Sequence, residues 1–324
     1  MTEEEILRQV TDRYALNCPQ IEVIRHNENM TYKVTSDNAR YLLRIHRPVQ
    51  GFSLSIFDLS DRIPFIKSEL DIIVDLNHVA GLDSQFPVQG KNGSFIQTIS
   101  DGTPVSLLEW VDGQTVEAVE QTREVLYNIG MMTAKMHLFF EKQSSGNKKY
   151  HRYSYDQSIL SPIADRIHTA NQRGIITDIQ RQVVLNALDE MHRRFDELDK
   201  LHPKVLVHAD LSKSNMVVTE GGTIAPIDFS LSGYSHFYMD IGGLFGHITK
   251  WEDRENIIRG YNAVRNSDIS SHYIEPYFAL QVILFIACQY ERASTWDWFG
   301  EKMGMWCEDI FEPLAKGKTF LVLT

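Results

Sequence analysis

The stretch Val205–Phe229, VLVHADLSKSNMVVTEGGTIAPIDF, constrains this chain more than any other. It is strand-like, yet it carries Asp210, Asn215 and Asp228, side chains that an apolar core rejects unless they are paired. NMVV and IAPID are short β-type runs, and Gly221–Gly222 lies midway between them. A Gly-Gly pair accommodates the positive φ values of a tight hairpin turn. With both glycines at the turn centre, Asn215 faces Asp228 across the hairpin, their Cα atoms about 4.5–5.5 Å apart. Pro226 then takes an edge or non-bonded position. Asp210 lies one loop beyond the strand-like VLV run, so the three groups can converge.

Two hard oxygen ligands at one point suit Mg²⁺ holding a polyphosphate, because Mg²⁺ takes few protein ligands and shares the rest with phosphate and water. A further carboxylate can accept the proton of an attacking hydroxyl. The order H-x-D-x-x-x-x-N followed by D-F-G belongs to phosphoryl transfer. Here it stands as HADLSKSN and DFS. The competing reading makes Asp210 and Asn215 ordinary turn residues and Asp228 a cap. Each residue alone suits that reading; the ordered set with a hairpin inside it does not.

The rest of the chain divides into a β-rich part and an α-rich part, an α+β pattern. IEVIRHNENMTYKVTSDNARYLLRIHRP reads as two β-type runs around the turn-like SDNA. FIKSELDIIVDLNHV is helical by period, and SFIQTI and PVSLLEWV read as strands. VDGQTV marks the boundary. Beyond it, VLYNIGMMTAKMHLFF and IQRQVVLNALDEMHRRFDELDKL read as long helices, the second with Val184, Leu188, Met191, Phe195 and Leu198 at helical spacing. The polar run between them, Glu141–Ser158, reads as a loop. The apolar run YFALQVILFIACQY is interrupted by Gln281 and reads as a buried helix rather than a membrane span.

In YLLRIHR the alternation sets Tyr41, Leu43 and Ile45 on one face and Leu42 and Arg44 on the other. With the first set on the core, Arg44 faces a cleft, where its planar fork suits phosphate; a solvated strand arginine is the plainer alternative. Glu69 falls inside the apolar stripe of Phe65, Ile66, Leu70, Ile73 and Leu76. An inward glutamate needs a partner, and Arg44 is the evident one.

These motifs resemble the aminoglycoside phosphotransferase and choline kinase superfamily, relatives of protein kinases that phosphorylate small molecules. YLLRIHRP followed by IKSELDIIVDL is similar to the branch containing type II homoserine kinases. The resemblance covers roughly residues 20–250. It implies a bilobal, protein-kinase-like fold: a small β-rich nucleotide-binding N-lobe with one key helix (1–108), a hinge (109–113) and a larger, mainly helical C-lobe (114–324). It implies ATP or GTP as phosphoryl donor, with Mg²⁺. Asp210 is then the base or hydroxyl-orienting group, and Asn215 and Asp228 the metal ligands. Arg44 and Glu69 serve the phosphates. The carbonyl of Glu109 and the N–H of Val111 serve adenine. Asn29 and Thr31, in NENMTYKV, belong to the loop over the phosphates, although that loop lacks G-x-G-x-x-G. Ser212 approaches the γ-phosphate, while His208 and Asp240 brace the catalytic loop. Two positions depart from the family pattern: Ala209 and Ser230 stand where glycine is usual, which limits the backbone freedom of each turn.

The acceptor is read as a small, amine-bearing alcohol: an amino alcohol, a homoserine-like amino acid or an aminoglycoside. Trp296, Trp298, Glu291 and Asp297, with Trp306 nearby, offer aromatic faces and acids to an ammonium group; tryptophans in a helical core with acids on the wet face are the alternative. A serine/threonine protein kinase and a nucleotide-binding pseudokinase remain as rival functions, the first disfavoured by the short SLSGYSHFYMD segment after DFS. A net charge of −11 speaks against nucleic acid as a partner. Three scattered cysteines fit a reducing compartment, and MTEEEILRQV carries no signal-peptide pattern. The expected location is the cytoplasm, with no membrane partner.

Overall fold

The computed structural model describes residues 3–57, 61–144 and 150–321. The N-terminal part is an antiparallel sheet of β1 (Gln20–His26), β2 (Met30–Ser36), β3 (Ala39–Ile45), β4 (Ile96–Thr98) and β5 (Pro104–Glu109), in the order β1-β2-β3-β5-β4. Helix α1 (Glu3–Tyr14) covers one face of this sheet and α2 (Ile63–Asp75) lies on the other. β2 and β3 join at Asp37–Asn38, both with positive φ (50° and 63°), a conformation that Asp and Asn tolerate better than other L-residues. The expected pair of runs around this turn is therefore a three-stranded meander. Strand β1 is the addition, and its largely exposed side chains give it no strong apolar alternation to read.

The pleat of β3 sorts its side chains as the alternation requires. Leu43 and Ile45 pack with Tyr32, Val34 and the α1 residues Ile6 and Val10, with Tyr41 at their margin. Leu42 belongs to the opposite, larger core shared with α2, and Arg44 points the same way.

The C-terminal part holds α3 (Arg123–Ser144), α4 (Leu160–Gln172), α5 (Asp178–Leu201), α6 (Tyr238–His247), α7 (Trp251–Val264), α8 (Ser271–Ala293), α9 (Phe299–Trp306) and α10 (Glu312–Ala315). Val184, Leu188, Met191, Phe195 and Leu198 of α5 are all buried. Its N-terminus is closed by a Thr177–Gln180 capping box. α8 is long and apolar enough to cross a membrane by composition, with a mean hydropathy of 1.2 over its best window; here Ile274, Tyr277, Leu280 and Ile283 are buried in the core.

Small strands complete this part. β6 (Gln114–Thr115), β9 (Met216–Val218) and β10 (Ile224–Pro226) form one sheet; β7 (Tyr153–Ser154), β8 (Val205–Val207) and β11 (Gly233–Ser235) form another. The polar run read as a loop is only partly one. Glu141–Ser144 end α3, residues 145–149 lie outside those described, and Tyr153–Ser154 pair in parallel with β11. The chain leaves β5 at Glu109 and enters the C-terminal sheet where Gln114 pairs with Val218. Between them Gly113 has φ 143°, and a Cβ there would run into the Val218 carbonyl oxygen. The crossing between the two parts therefore requires glycine.

Candidate active site

The β9–β10 hairpin sets the first part of the site. Met216 pairs with Pro226 and Val218 with Ile224. The next pair out is Asn215 and Ile227, whose N–H donates to the Asn215 carbonyl at 2.9 Å. Asn215 thus stands opposite Ile227 rather than Asp228, one residue off the expected register. The turn explains the difference. It closes through Thr219 N–H to the Thr223 carbonyl (3.0 Å) and Gly222 N–H to the Thr219 carbonyl (2.9 Å). Only Gly222 of the glycine pair has positive φ, 75°. This is the loop with an odd number of residues, ending in a left-handed glycine, and it centres the hairpin on Gly221. A one-residue slip moves side chains to the opposite face of a regular strand. Asp228 escapes that rule because β10 ends at Pro226 and Asp228 itself is left-handed, φ 64°.

Asp210 and Asn215 meet directly. Asn215 Nδ2 donates to the Asp210 carbonyl at 3.0 Å and to Asp210 Oδ2 at 2.7 Å. The loop that carries Asp210 is held from behind by buried Asp240, which accepts from His208 N–H (3.0 Å), Ala209 N–H (2.7 Å) and His137 Nε2 (2.9 Å). Ala209, at the position where glycine is usual, has φ 64°. Its strained turn is also tied by Gln281, whose Nε2 donates to the Ala209 carbonyl at 2.9 Å. His208 is fully buried, and burial lowers its pKa. Its neutral ring donates from Nε2 to the Ile227 carbonyl at 3.0 Å, linking catalytic loop and hairpin.

Arg44 and Glu69 form a buried ion pair, 2% and 3% exposed. Arg44 Nη2 also lies 3.1 Å from Asp228 Oδ1, and Arg25 Nη2 lies 2.6 Å from Asp228 Oδ2. Burial would raise the Asp228 pKa, but Arg44 and Arg25 hold its carboxyl well below the usual range. Burial, and then the charge of Asp228, push Asp210 up to about 8. Two carboxylates driven apart in this way leave Asp228 a permanent anion and Asp210 a group that titrates near neutral pH, where it can exchange a proton. Glu28, in the β1–β2 turn, is likewise pushed up to about 7 by burial and by Asp228 and Glu69. Arg152 fixes the segment after Asp228: Nε donates to the Ser232 carbonyl (2.8 Å), Nη1 to Phe65 (2.8 Å), and Nη2 to Phe229 (3.0 Å) and Ser230.

Beside these groups, between the two parts, lies a cavity of about 200 Å³. Ile24, Thr31, Leu42, Trp110, Val111 and Val217 line it with Arg25, Arg44, Asn215 and Asp228. The sequence-derived candidates distribute unevenly around it. Thr31 and Val111 line it; Glu109 does not, and its own N–H is used by the Phe86 carbonyl at 2.7 Å. Asn29 is buried against His46, with Oδ1 3.1 Å from Nδ1. Ser212 precedes a short turn, its Oγ 2.9 Å from Ser214 Oγ, and Ser214 is the one that lines the cavity.

The expected acceptor group is not brought to this cleft. Glu291 pairs with Arg173 at 2.5 Å. Trp296 and Trp298 stack at 5.1 Å, Trp306 and Phe285 complete an aromatic cluster, and Asp297 is exposed. The cation over Trp296, at 5.7 Å, is the chain's own Arg292. None of these four candidates lines the described cavities. Sequence reasoning missed Arg25, Gln85, Arg152, His137 and Gln281. Gln85 is 4% exposed, lines the cavity, and its Oε1 has no hydrogen-bond partner.

The donor set fits a hard divalent cation. Asp228 Oδ1 is buried and accepts no hydrogen bond of good geometry, although Arg44 stands near it. The Asn215 amide nitrogen is committed to Asp210, which leaves its oxygen as the ligating atom. One carboxylate and one amide oxygen match the sparse protein share that Mg²⁺ takes beside phosphate.

The model of the phosphotransferase enzyme family matches residues 20–268. Amicoumacin kinase of Bacillus subtilis (strain 168) is 24% identical over 251 residues, spanning 76% of this chain and 68% of that protein. Among solved structures, a microcompartment-associated aminopropanol kinase superposes with a TM-score of 0.79 at 21% identity, covering 99% of this chain and 100% of that one. Amicoumacin kinase hAmiN, in complex with AMP-PNP, Ca²⁺ and Ami, gives 0.76 at 18% identity, covering 100% and 96%. Choline kinase LicA from Streptococcus pneumoniae gives 0.64 at 15%, covering 97% and 98%. These likenesses establish the bilobal kinase-like fold.

Proposed function

The chain belongs to the phosphotransferase enzyme family, and from that premise we propose that it moves the γ-phosphoryl group of a nucleoside triphosphate to the hydroxyl of a small, amine-bearing molecule. One observation carries the reading. Asn215 lines the cleft with Asp228 and Arg44 and at the same time holds Asp210 at 2.7 Å. Asp210 accepts the proton of the acceptor hydroxyl as the new oxygen–phosphorus bond forms and the bond to the nucleotide's bridging oxygen breaks. Arg44 offers a rigid fork to the phosphates, and Glu69 fixes the direction of that fork. Thr31, Val111 and Trp110 wall the space for the base. Mg²⁺, held by Asn215 and Asp228, would supply neutralisation of phosphate charge. Most of the acceleration comes from alignment and charge placement, as phosphoryl transfer requires.

The AMP-PNP and Ca²⁺ named with a relative's structure support nucleotide and divalent-cation use. Relatives named for amicoumacin, aminopropanol and choline support a small-molecule acceptor. The net charge of −11 favours a cationic one. The test is ATP consumption by the purified chain across amino alcohols, amino acids, sugars, aminoglycosides and protein substrates. Asp210→Asn is expected to lose at least about a hundredfold in kcat. Turnover confined to a protein acceptor would overturn the reading.

A further inference from the structure

A second cavity, of about 730 Å³, is lined by Glu28, whose side chain reaches the segment that follows Asp228. Its volume lies in the range of about 300–1,000 Å³ that small-molecule sites occupy. One wall is the segment between β3 and α2, contributing Phe52, Leu54, Ile56 and Phe57; Pro162 of α4 stands across from it. That wall is anchored to both parts of the molecule. Val49 N–H donates to the Asn27 carbonyl at 2.7 Å, and Ser53 N–H donates to the Cys288 carbonyl at 2.8 Å. Gly51, with φ 83°, lies against Arg292.

Two charged side chains line this mostly apolar space, Glu28 and Arg62. Glu28 Oε2 accepts from Ser230 Oγ at 2.9 Å, two residues beyond Asp228. Among the described residues Glu28 forms no ion pair, and Ser230 is the hydrogen-bond donor it meets. Arg62 and Arg44 act on the Glu28 charge from a distance without pairing with it, so a carboxylate facing the cavity keeps its hydrogen-bonding capacity for an ammonium group. Arg62 on the same wall makes the cavity hostile to a molecule carrying many positive charges.

We infer that this cavity is the acceptor subsite, and that it takes an amphipathic monoamine: one ammonium group seated on Glu28, joined to an apolar body lying along Phe52, Leu54 and Ile56. The inference rests on the phosphotransferase reading above and narrows it. Small amino alcohols leave the apolar wall uncovered, and polycationic aminoglycosides meet Arg62. The site is distinct from the tryptophan cluster of the C-terminal helices.

The experiment is calorimetric titration of the nucleotide-free full chain with phenylalaninol, with hydrocinnamyl alcohol (the same body without the amine) and with ethanolamine (the amine without the body), alongside ATP consumption with each. Phenylalaninol is expected to bind at least about tenfold tighter than either analogue. Glu28→Gln is expected to remove about tenfold of that affinity while leaving hydrocinnamyl alcohol where it was. Ser55→Trp, at an exposed position on the cavity wall, is expected to weaken both. Equal losses for amine and amine-free ligands in Glu28→Gln, or no effect of Ser55→Trp, overturns the inference. Phosphorylation without amine preference overturns it too and leaves the kinase reading standing. Amine-selective binding without phosphorylation of phenylalaninol overturns the assignment of the cavity as the acceptor subsite and leaves the kinase reading to the wider acceptor screen.

Discussion

Arg25 Nη2 lies 2.6 Å from Asp228 Oδ2, so a cation from the first strand of the N-terminal sheet rests on a carboxylate at the end of the C-terminal hairpin. In the ligand-free protein this guanidinium and Arg44 neutralise the charge that the fold concentrates around Asp228. A divalent cation that binds Asp228 must displace or share one of them.

The first prediction follows from that competition. Arg25 is 43% exposed, and a pair so open to water is worth up to about 1 kcal/mol. Arg25→Gln should therefore tighten Mn²⁺ binding to the nucleotide-free protein by about two- to fivefold, read by the paramagnetic signal of free Mn²⁺. Unchanged or weaker binding would show that Arg25 does not compete for Asp228.

The Arg44–Glu69 pair is almost fully buried. Removing one partner of such a pair typically costs about 3–5 kcal/mol, because the other charge stays buried. Glu69→Ala should fall at the low end of that range, since Asp228 remains 3.1 Å from Arg44 as a second anion. The double variant Arg44→Met with Glu69→Leu should regain most of the stability and stay inactive, because apolar isosteres replace buried pairs at little net cost. Denaturant unfolding and ATP turnover on the same samples separate the two effects.

Burial, with Arg44 and Arg62 nearby, lowers the pKa of His46 to about 3, and burial lowers that of His236 to about 4. Both rings are neutral in the folded protein at pH 5, whereas the unfolded chain binds their protons below about 6.5. The unfolded state then holds more protons, so stability falls as pH drops from about 6.5 toward 4. The loss at pH 5 should be about 2 kcal/mol for each ring. His46→Gln should flatten the acid limb of a stability-against-pH curve by about one proton. A variant with the wild-type slope would refute the assignment.

Gln85 carries a buried acceptor without a donor in the cleft. An orphaned group of that kind costs about 1–3 kcal/mol, and a ligand's donor can repay it. An exocyclic amine of a nucleobase is such a donor. Gln85→Leu should raise thermal stability by up to that amount and weaken ATP binding by about five- to tenfold. Stability and affinity moving in the same direction would exclude the role.

Local pattern determined much of this protein from its sequence alone. The two-residue alternation of Tyr41–Ile45 sets Arg44 opposite the α1-side core, and the helical period of Phe65–Leu76 turns Glu69 inward. The pair forms because two buried charges need partners, and Arg44 finds Glu69 and Asp228 within ion-pair distance. The spacing of HADLSKSN brings Asp210 onto Asn215 within one loop. Tertiary structure decided what no local period encodes. The hairpin register turned on whether the loop was closed by two left-handed glycines or one, and the Thr219–Thr223 hydrogen bonds close it with one. Arg25, Glu28, Gln85 and Arg152 reach the site across long stretches of chain, and each reads in sequence as an ordinary surface or loop residue. Of the side chains near residue 297 that share composition with an amine site, the tryptophans are packed on one another and on Arg292, Glu291 is paired with Arg173, and Asp297 is exposed. Period and spacing are properties of neighbours along the chain, whereas a cavity is a property of surfaces that meet only after the chain has folded.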